Sequence, residues 1–182
     1  PTGFGCAEAQ GVLDRVDFIV STFSKSLAGI GGVCVSNHAE LKALHFLARA
    51  YVFTASGSPS NIAGVRAAVR VVREHPELRE QLWSNVRHLR QGLQERGFAI
   101  GDTESPIVPI LTGEEQRTVA LWQRLLSEGL YVNLIIPPGC PKDQCVLRAS
   151  CSAAQTPEQI ARALDIFAHV GAELGATRVA VS

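Results

Sequence analysis

Residues 21–32 have the sequence STFSKSLAGIGG, in which Lys25 stands among small hydroxyl residues and glycines. The segment lies between two short apolar runs, which predict buried strands over residues 16–21 and 32–36. Lysine is depleted in buried strands and normally lies on the surface. The local pattern therefore leaves three interpretations of Lys25 open: a structural accident, a binder of phosphate or acid, or the nucleophile of a Schiff base.

The composition indicates a globular protein without an obvious polyanionic partner. The 182 residues are 46% hydrophobic and 19% charged, and 17 basic residues balance 17 acidic ones. The basic excess typical of nucleic-acid-binding proteins is therefore missing. No apolar run approaches the length of a membrane span, and the first residues do not resemble a signal segment. We expect no nucleic-acid partner, no transmembrane segment and a cytoplasmic protein.

The start of the sequence indicates a longer parent chain. The first residue is Pro1, methionine is absent, and residues 1–11 resemble a loop with no element before it. We expect the sequence to be the C-terminal piece of a longer protein.

The cysteines do not form a recognisable metal motif. There are five of them, no two are spaced as C-x-x-C, and the later three fit no common zinc spacing. The sequence therefore predicts free, buried thiols in a reducing cytoplasm and no metal site. The five are Cys6, Cys34, Cys140, Cys145 and Cys151.

Helical periodicity follows the lysine segment. Asn37 and Glu40 have the spacing of a capping box and predict a helix over residues 38–49. His38 and His45 are expected on the surface of that helix, without a catalytic role.

The rest of the chain alternates between helices and strands. Ser58 and Pro59 predict the cap and first turn of a second helix. Pro76 predicts the start of a long helix that ends at Gly97. The later pattern predicts a strand–helix–strand–strand–helix unit, with elements at 107–111, 114–128, 130–136, 145–150 and from Thr156 onward.

Residues 17–26, followed by Gly31-Gly32, resemble the lysine motif of the α-oxoamine synthases. These are pyridoxal-phosphate enzymes of the aspartate aminotransferase-like (fold type I) superfamily. Within the family, the sequence is most similar to the bacterial serine palmitoyltransferases. Further segments fall in the family's order across essentially the whole chain, namely 33–38, 51–56, 129–133, 137–138 and 147–148.

The resemblance implies an α/β fold that is the C-terminal part of such a chain. Residues 1–75 would be the C-terminal part of an incomplete pyridoxal-phosphate-binding large domain. Residues 76–97 would be the connecting helix, and residues 98–182 a small C-terminal α/β domain.

The implied activity is the decarboxylative condensation of an amino acid, expected to be L-serine, with a long-chain acyl-CoA. It uses pyridoxal 5'-phosphate, belongs to sphingolipid biosynthesis and is expected of a homodimer. One alternative is another α-oxoamine synthase (forming 8-amino-7-oxononanoate or 2-amino-3-ketobutyrate) or a class I/II aminotransferase. The other is a non-catalytic fragment that acts as an interaction module.

The resemblance assigns roles to five residues. Lys25 holds the cofactor as an internal aldimine and shuttles protons, and burial between two strands is expected to desolvate its amine. Thr22 and Ser24 offer hydroxyls to the cofactor phosphate, and Thr54 reaches the phosphate in the neighbouring subunit. Arg148 clamps the substrate carboxylate, with a structural ion pair as the alternative.

Three positions depart from the family's usual residues. Ala28 stands where relatives often have glycine, Ile136 where many have arginine, and Gln155 where many have histidine. By similarity, the aspartate and histidine that hold the pyridine ring precede Pro1. We therefore expect this chain alone to have little or no synthase activity.

Overall fold

The computed structural model describes residues 3–55 and 57–177. Ser56, part of one family segment, lies outside the described residues. The chain divides into two compact units, Pro1–Pro76 and Glu77–Ser182. The helices are α1 (Cys6–Ala9), α2 (Leu41–Leu47), α3 (Arg49–Val52), α4 (Pro59–Glu74), α5 (Glu77–Glu95), α6 (Glu115–Ser127) and α7 (Pro157–Glu173), and the strands are β1 (Ile19–Thr22), β2 (Gly32–Val35), β3 (Ile107–Gly113), β4 (Asn133–Ile135) and β5 (Cys145–Ser150), with a 3-10 turn at Leu13–Arg15.

The first unit is built on an antiparallel hairpin of β1 and β2. Ile19 pairs with Val35 at one end, and Thr22 pairs with Gly32 at the other. The prediction that these strands are buried is wrong, since Val20 is 76% exposed and all of β2 is exposed. A two-stranded sheet has two faces to cover, and the described part of this unit covers neither fully.

The predicted helix over residues 38–49 is wrong in its bounds and its cap. Two shorter helices, α2 and α3, occupy this region, and the chain between them is extended at Ala48. Glu40 precedes the first helix without a side-chain cap, so Asn37 does not cap it.

Helix α4 follows its sequence signals. Ser58 accepts a hydrogen bond from the backbone N–H of Asn61, and Pro59 occupies the first turn. The Ser58 hydroxyl pairs with one backbone N–H that has no partner within the helix, and Pro59 has no backbone N–H that would need one. Val65 is the buried residue of this helix.

The second unit is a three-stranded antiparallel sheet covered by helices on one face. The strand order is β3-β5-β4, so β3 is an edge strand, a position at which a proline such as Pro109 is tolerated. Buried residues alternate with more exposed ones along β3 and β5. The period of two places one side of each strand in the core and leaves the other side more exposed.

The core of the second unit joins the buried sheet face to α5, α6 and α7. Phe98 and Phe167 meet edge to face with ring centroids 5.5 Å apart, the arrangement that aromatic pairs prefer. Gly97 ends its helix region with a φ of 81°, as predicted. Thr156 and Gln159 form a capping box at the start of α7, where the sequence predicts an element.

Two general expectations can be compared with this fold. The α/β architecture is confirmed. The division into 1–75, 76–97 and 98–182 stays a prediction; α5 packs against α7 and β3 within the second unit.

Among the helices of residues 3–55 and 57–177, none combines the length and apolarity needed to cross a membrane.

Candidate active site

The lysine loop, residues 23–31, connects β1 to β2 and has a defined backbone. The N–H of Phe23 donates to the carbonyl of Gly31 at 2.9 Å, and the N–H of Gly29 donates to the carbonyl of Phe23 at 2.8 Å. The N–H of Ala28 donates to the carbonyl of Lys25 at 3.0 Å. Ala28 has a φ of 49°, a conformation that glycine adopts more easily. The alanine therefore stands where the backbone favours the relatives' glycine.

Asn61 of α4 fixes the loop by pairing with the backbone of Ile30. Its Oδ1 accepts the Ile30 N–H at 2.9 Å, and its Nδ2 donates to the Ile30 carbonyl at 2.8 Å. Beside this contact, a Cβ at Gly29 would lie 2.5 Å from Cγ2 of Val65. Only glycine lets the loop approach α4 this closely.

Replacing Asn61 by alanine is expected to loosen the lysine loop. Loss of the two hydrogen bonds removes roughly 1–2 kcal/mol of local stability. Amide exchange at Ile30, measured by NMR, should then become about tenfold faster. The Asn37→Ala variant changes an exposed asparagine in the same unit and should leave that rate unchanged. Equal rates in both variants would contradict this assignment.

The predicted cofactor residues at the end of β1 and in the lysine loop lie at the surface. The Lys25 Nζ donates to the Ser24 Oγ at 3.3 Å. Thr22, Ser24 and Lys25 are all exposed, so the expected desolvation of the amine between buried strands is wrong for this chain. The amine of Lys25 is not desolvated because the strands of its hairpin are themselves exposed.

Thr54 lies on a cleft of about 630 Å³ beside the lysine loop, within the first unit. Gly31 of the loop and Gly32 of β2 line it together with Tyr51 and Asn61. The Thr54 Oγ1 donates to the carbonyl of Ala50. The fold thus brings Thr54 close to the loop's second half.

Arg148 lies at the centre of the three-stranded sheet of the second unit. It is in register with Pro109 of β3 and Asn133 of β4, so the three side chains share one face. This is the face away from the buried residues Leu147 and Ala149, and Arg148 is exposed on it. Within residues 3–55 and 57–177, no ion-pair partner of Arg148 is found.

The loop after β5 is held by Asn85, a buried residue of α5. Its Nδ2 donates to the carbonyls of Ser152 and Gln155 at 2.9 and 2.8 Å, and its Oδ1 accepts from Gln81 at 2.9 Å. The Gln155 side chain in turn accepts the Ser152 N–H at 2.9 Å. Gln155 therefore stabilises this loop.

His38 is not on a helix, contrary to the sequence prediction. It lies in the loop after β2, where its Nε2 is 2.9 Å from Oδ1 of Asp17 and its ring stacks on Phe18. His45 is on α2 as expected, stacked on Tyr51. Sequence reasoning missed both Asn61 and the pair of Asp17 with His38. No local signal marks these contacts, because they join distant residues.

The prediction of buried thiols holds for one cysteine. Cys145 is buried, Cys140 and Cys151 are partly exposed, and Cys6 and Cys34 are exposed. Across the part of the chain that the structure describes, no group of three or more His, Cys, Asp or Glu side chains is placed to hold a metal ion.

The whole chain can now be compared with known proteins. Residues 2–167 match the family Aminotransferase class I and II. The chain belongs to this family. The match includes the lysine loop, Thr54 and Arg148.

Relatives of two kinds are found within the family. The serine palmitoyltransferase of Caulobacter vibrioides (strain NA1000 / CB15N) is 47% identical over 96% of this chain and 43% of the relative. The 8-amino-7-oxononanoate synthase of Symbiobacterium thermophilum is 34% identical over 95% of this chain and 44% of the relative. The resemblance to α-oxoamine synthases, and to serine palmitoyltransferases in particular, is confirmed.

A solved structure has the same fold over this region. It is a structure of serine palmitoyltransferase (SPT) with a pyridoxal 5'-phosphate (PLP) internal aldimine, and it matches with a TM-score of 0.94 and 41% identity. The match covers 97% of this chain and 45% of that one. The chain thus spans less than half the length of the proteins it resembles.

Proposed function

We propose that this chain carries the lysine-bearing part of a pyridoxal-phosphate-dependent acyltransferase that condenses L-serine with a long-chain acyl-CoA and releases CO2. The observation that carries the proposal is the 47% identity to a serine palmitoyltransferase over 96% of the chain. Placement of Lys25 on a loop between two strands supports it, because an amine there is accessible to a cofactor.

The residues of the first unit fit pyridoxal phosphate. Lys25 supplies an exposed amine for covalent attachment, and Ser24 places a hydroxyl 3.3 Å from it. Thr22 and Ser24 would donate hydroxyl hydrogen bonds to the phosphate, and Thr54 would donate one to the phosphate of the cofactor in the neighbouring subunit. Gly31 leaves room beside Thr54, because it lines the same cleft without a side chain.

The chain's own residues have distinct tasks in this reaction. When bound, pyridoxal phosphate supplies an electron sink for negative charge at the substrate Cα. Lys25 would remove and return the proton at that carbon, because its amine is the attachment point. Arg148 would bind the substrate carboxylate in a bidentate pair, for which its exposed guanidinium is suited. Asn85 would keep the loop after the Arg148 strand in place.

A homodimer and a cytoplasmic location, in a pathway of sphingolipid synthesis, belong to the same proposal. Exposed apolar side chains on the first unit, such as Phe46 and Phe53, support further contacts there. An 8-amino-7-oxononanoate-type activity is the second candidate, favoured by relatives such as the 34% identical synthase.

Substrate profiling of the full-length protein tests the proposal. We expect CoA release to be fastest with L-serine and palmitoyl-CoA, compared with glycine or alanine and with short acyl-CoAs. The measurement is free thiol formed per unit time, with CO2 release in parallel. We expect the 182-residue chain alone to release little or no CoA.

Each other outcome points to a different function. A preference for a short acyl-CoA would indicate another α-oxoamine synthase and not a serine palmitoyltransferase. No thiol release with any acyl-CoA, together with no lysine that retains the cofactor after borohydride reduction, would favour the non-catalytic interaction module.

A further inference from the structure

Arg148 has two different neighbours on the exposed face of the sheet in the second unit. Asn133 of β4 and Pro109 of β3 are both in register with it. Directly opposed residues of neighbouring strands have Cβ atoms about 4.5–5.5 Å apart, so both lie within reach of a small molecule held at Arg148. Asn133 offers a carboxamide, whereas Pro109 offers only a hydrocarbon ring. The surroundings of Arg148 are therefore polar on the β4 side and apolar on the β3 side.

The carboxamide of Asn133 is oriented by Tyr131. Its Nδ2 donates to the Tyr131 hydroxyl, with the nitrogen 3.2 Å from the oxygen. This bond uses one amide hydrogen and leaves Oδ1 as an acceptor. Among residues 3–55 and 57–177, no donor is found for Oδ1 of Asn133. Since Asn133 is partly buried, an oriented acceptor remains unused in the position opposite Arg148.

The neighbours of Arg148 along its own strand are farther away. Val146 and Ser150 stand two residues before and after it on β5 and share its face. Residues two apart on a strand are separated by about 7 Å, which is more than the distance to a cross-strand neighbour. The Ser150 hydroxyl is therefore a less direct partner than Asn133 for a ligand that is centred on Arg148.

We propose that Asn133 determines specificity for the amino acid substrate by accepting a hydrogen bond from a hydroxyl on its Cβ. This inference rests on the proposed function, in which Arg148 binds the substrate carboxylate. In L-serine the hydroxyl is on Cβ, the carbon next to the one that bears the carboxylate. A hydroxyl so close to the bound carboxylate reaches the cross-strand neighbour of Arg148, and Asn133 is the neighbour with an acceptor. The substrate class is a 2-amino acid with a hydroxyl on Cβ.

L-Alanine is the matched competitor, because it differs from L-serine only by the missing hydroxyl. A site that pairs with a substrate hydroxyl discriminates against an analogue that leaves the protein group unpaired. Asn133 is only partly buried, so water can replace the lost partner in part. We therefore expect this hydrogen bond to favour L-serine over L-alanine by about tenfold.

Asn133→Ala in the full-length protein tests the proposal. The measured quantity is the ratio of kcat/KM for L-serine to kcat/KM for L-alanine, with the same acyl-CoA and free thiol as the readout. We expect the variant to lower this ratio by about tenfold, mainly through a higher KM for L-serine. Calorimetric titration without acyl-CoA should show a similar rise in the Kd for L-serine and little change for L-alanine.

Two further variants distinguish specificity from a general disturbance of the site. Asn133→Asp places a carboxylate opposite Arg148 and should raise the KM for both amino acids, because it competes for the guanidinium. Tyr131→Phe changes a side chain of a residue that is 69% exposed, and it should lower the ratio by a smaller factor than Asn133→Ala. Ser150→Ala is the matched control on the same face and should leave the ratio unchanged.

The outcomes separate this inference from the proposed function. An unchanged ratio in Asn133→Ala, in an enzyme whose wild type uses L-serine, would overturn the inference alone. An equal loss with both amino acids in Asn133→Ala, or an unchanged KM in Asn133→Asp, would also overturn it. A wild-type protein that releases no CoA with either amino acid would overturn the proposed function and this inference with it.

Discussion

Replacing Lys25 by alanine in the full-length protein is expected to reduce CoA release from L-serine and palmitoyl-CoA by roughly 10³-fold or more. The amine is the proposed attachment point of the cofactor and the proposed proton carrier, so both tasks are lost together. The fold should persist, since Lys25 is exposed and its side chain donates a hydrogen bond to its neighbour Ser24.

The control for this variant is Lys42→Ala, which removes another lysine from the first unit. Lys42 lies on α2, outside the proposed site, and its variant should keep wild-type activity. A fall of similar size in both variants would contradict the role given to Lys25.

Borohydride reduction provides a readout that is independent of turnover. In the wild-type protein loaded with pyridoxal phosphate, we expect the reduced cofactor on the peptide that contains Lys25. The other lysines in this chain are Lys42 and Lys142, so the mapping is unambiguous here. Label on either of those, with Lys25 unmodified, would exclude the proposed attachment.

The second large effect concerns the core of the second unit. Leu93 is fully buried on α5 and belongs to the core that joins α5 to the sheet. Truncation of such a leucine leaves a cavity, so Leu93→Ala should lower the free energy of unfolding by about 2–5 kcal/mol. Denaturant titration measures this through tryptophan fluorescence. Both tryptophans, Trp83 and Trp122, lie in this unit.

The same helix offers a matched control. Leu78 is 43% exposed near the start of α5, and Leu78→Ala should change the unfolding free energy by about 0.5 kcal/mol or less. Coincident midpoints for the two variants would show that Leu93 does not stabilise the core. A changed slope would instead show that the unfolded or native state has altered, and the comparison would then not support the prediction.

The elements that sequence reasoning predicted well carry their own local signals. Ser58 with Pro59, and Thr156 with Gln159, mark helix starts through contacts within a few residues. The strand predicted over residues 145–150 is also present, as β5, and it carries Arg148. Such signals need no knowledge of the rest of the fold.

What sequence reasoning missed depends on contacts between distant residues. The burial predicted for β1 and β2 assumed covering elements that the described residues do not supply. Asn37 has the sequence spacing of an N-cap, yet the residue that precedes α2 is Glu40. The spacing alone therefore predicted the wrong cap. The role of Asn61 could not be predicted from nearby residues, because its partner, Ile30, is 31 residues earlier in the chain.

The pairing of Asn61 with Ile30 also sets the order in which the first unit matures during synthesis. Ile30 leaves the ribosome 31 residues before its partner, so the loop that bears Lys25 emerges without its anchor. Domains form as translation proceeds from the N-terminus. Lys25 therefore acquires its final position only after the first turn of α4 has been synthesised. A ribosome stalled after Ile30 and before Asn61 would carry a hairpin whose loop is not yet held by Asn61.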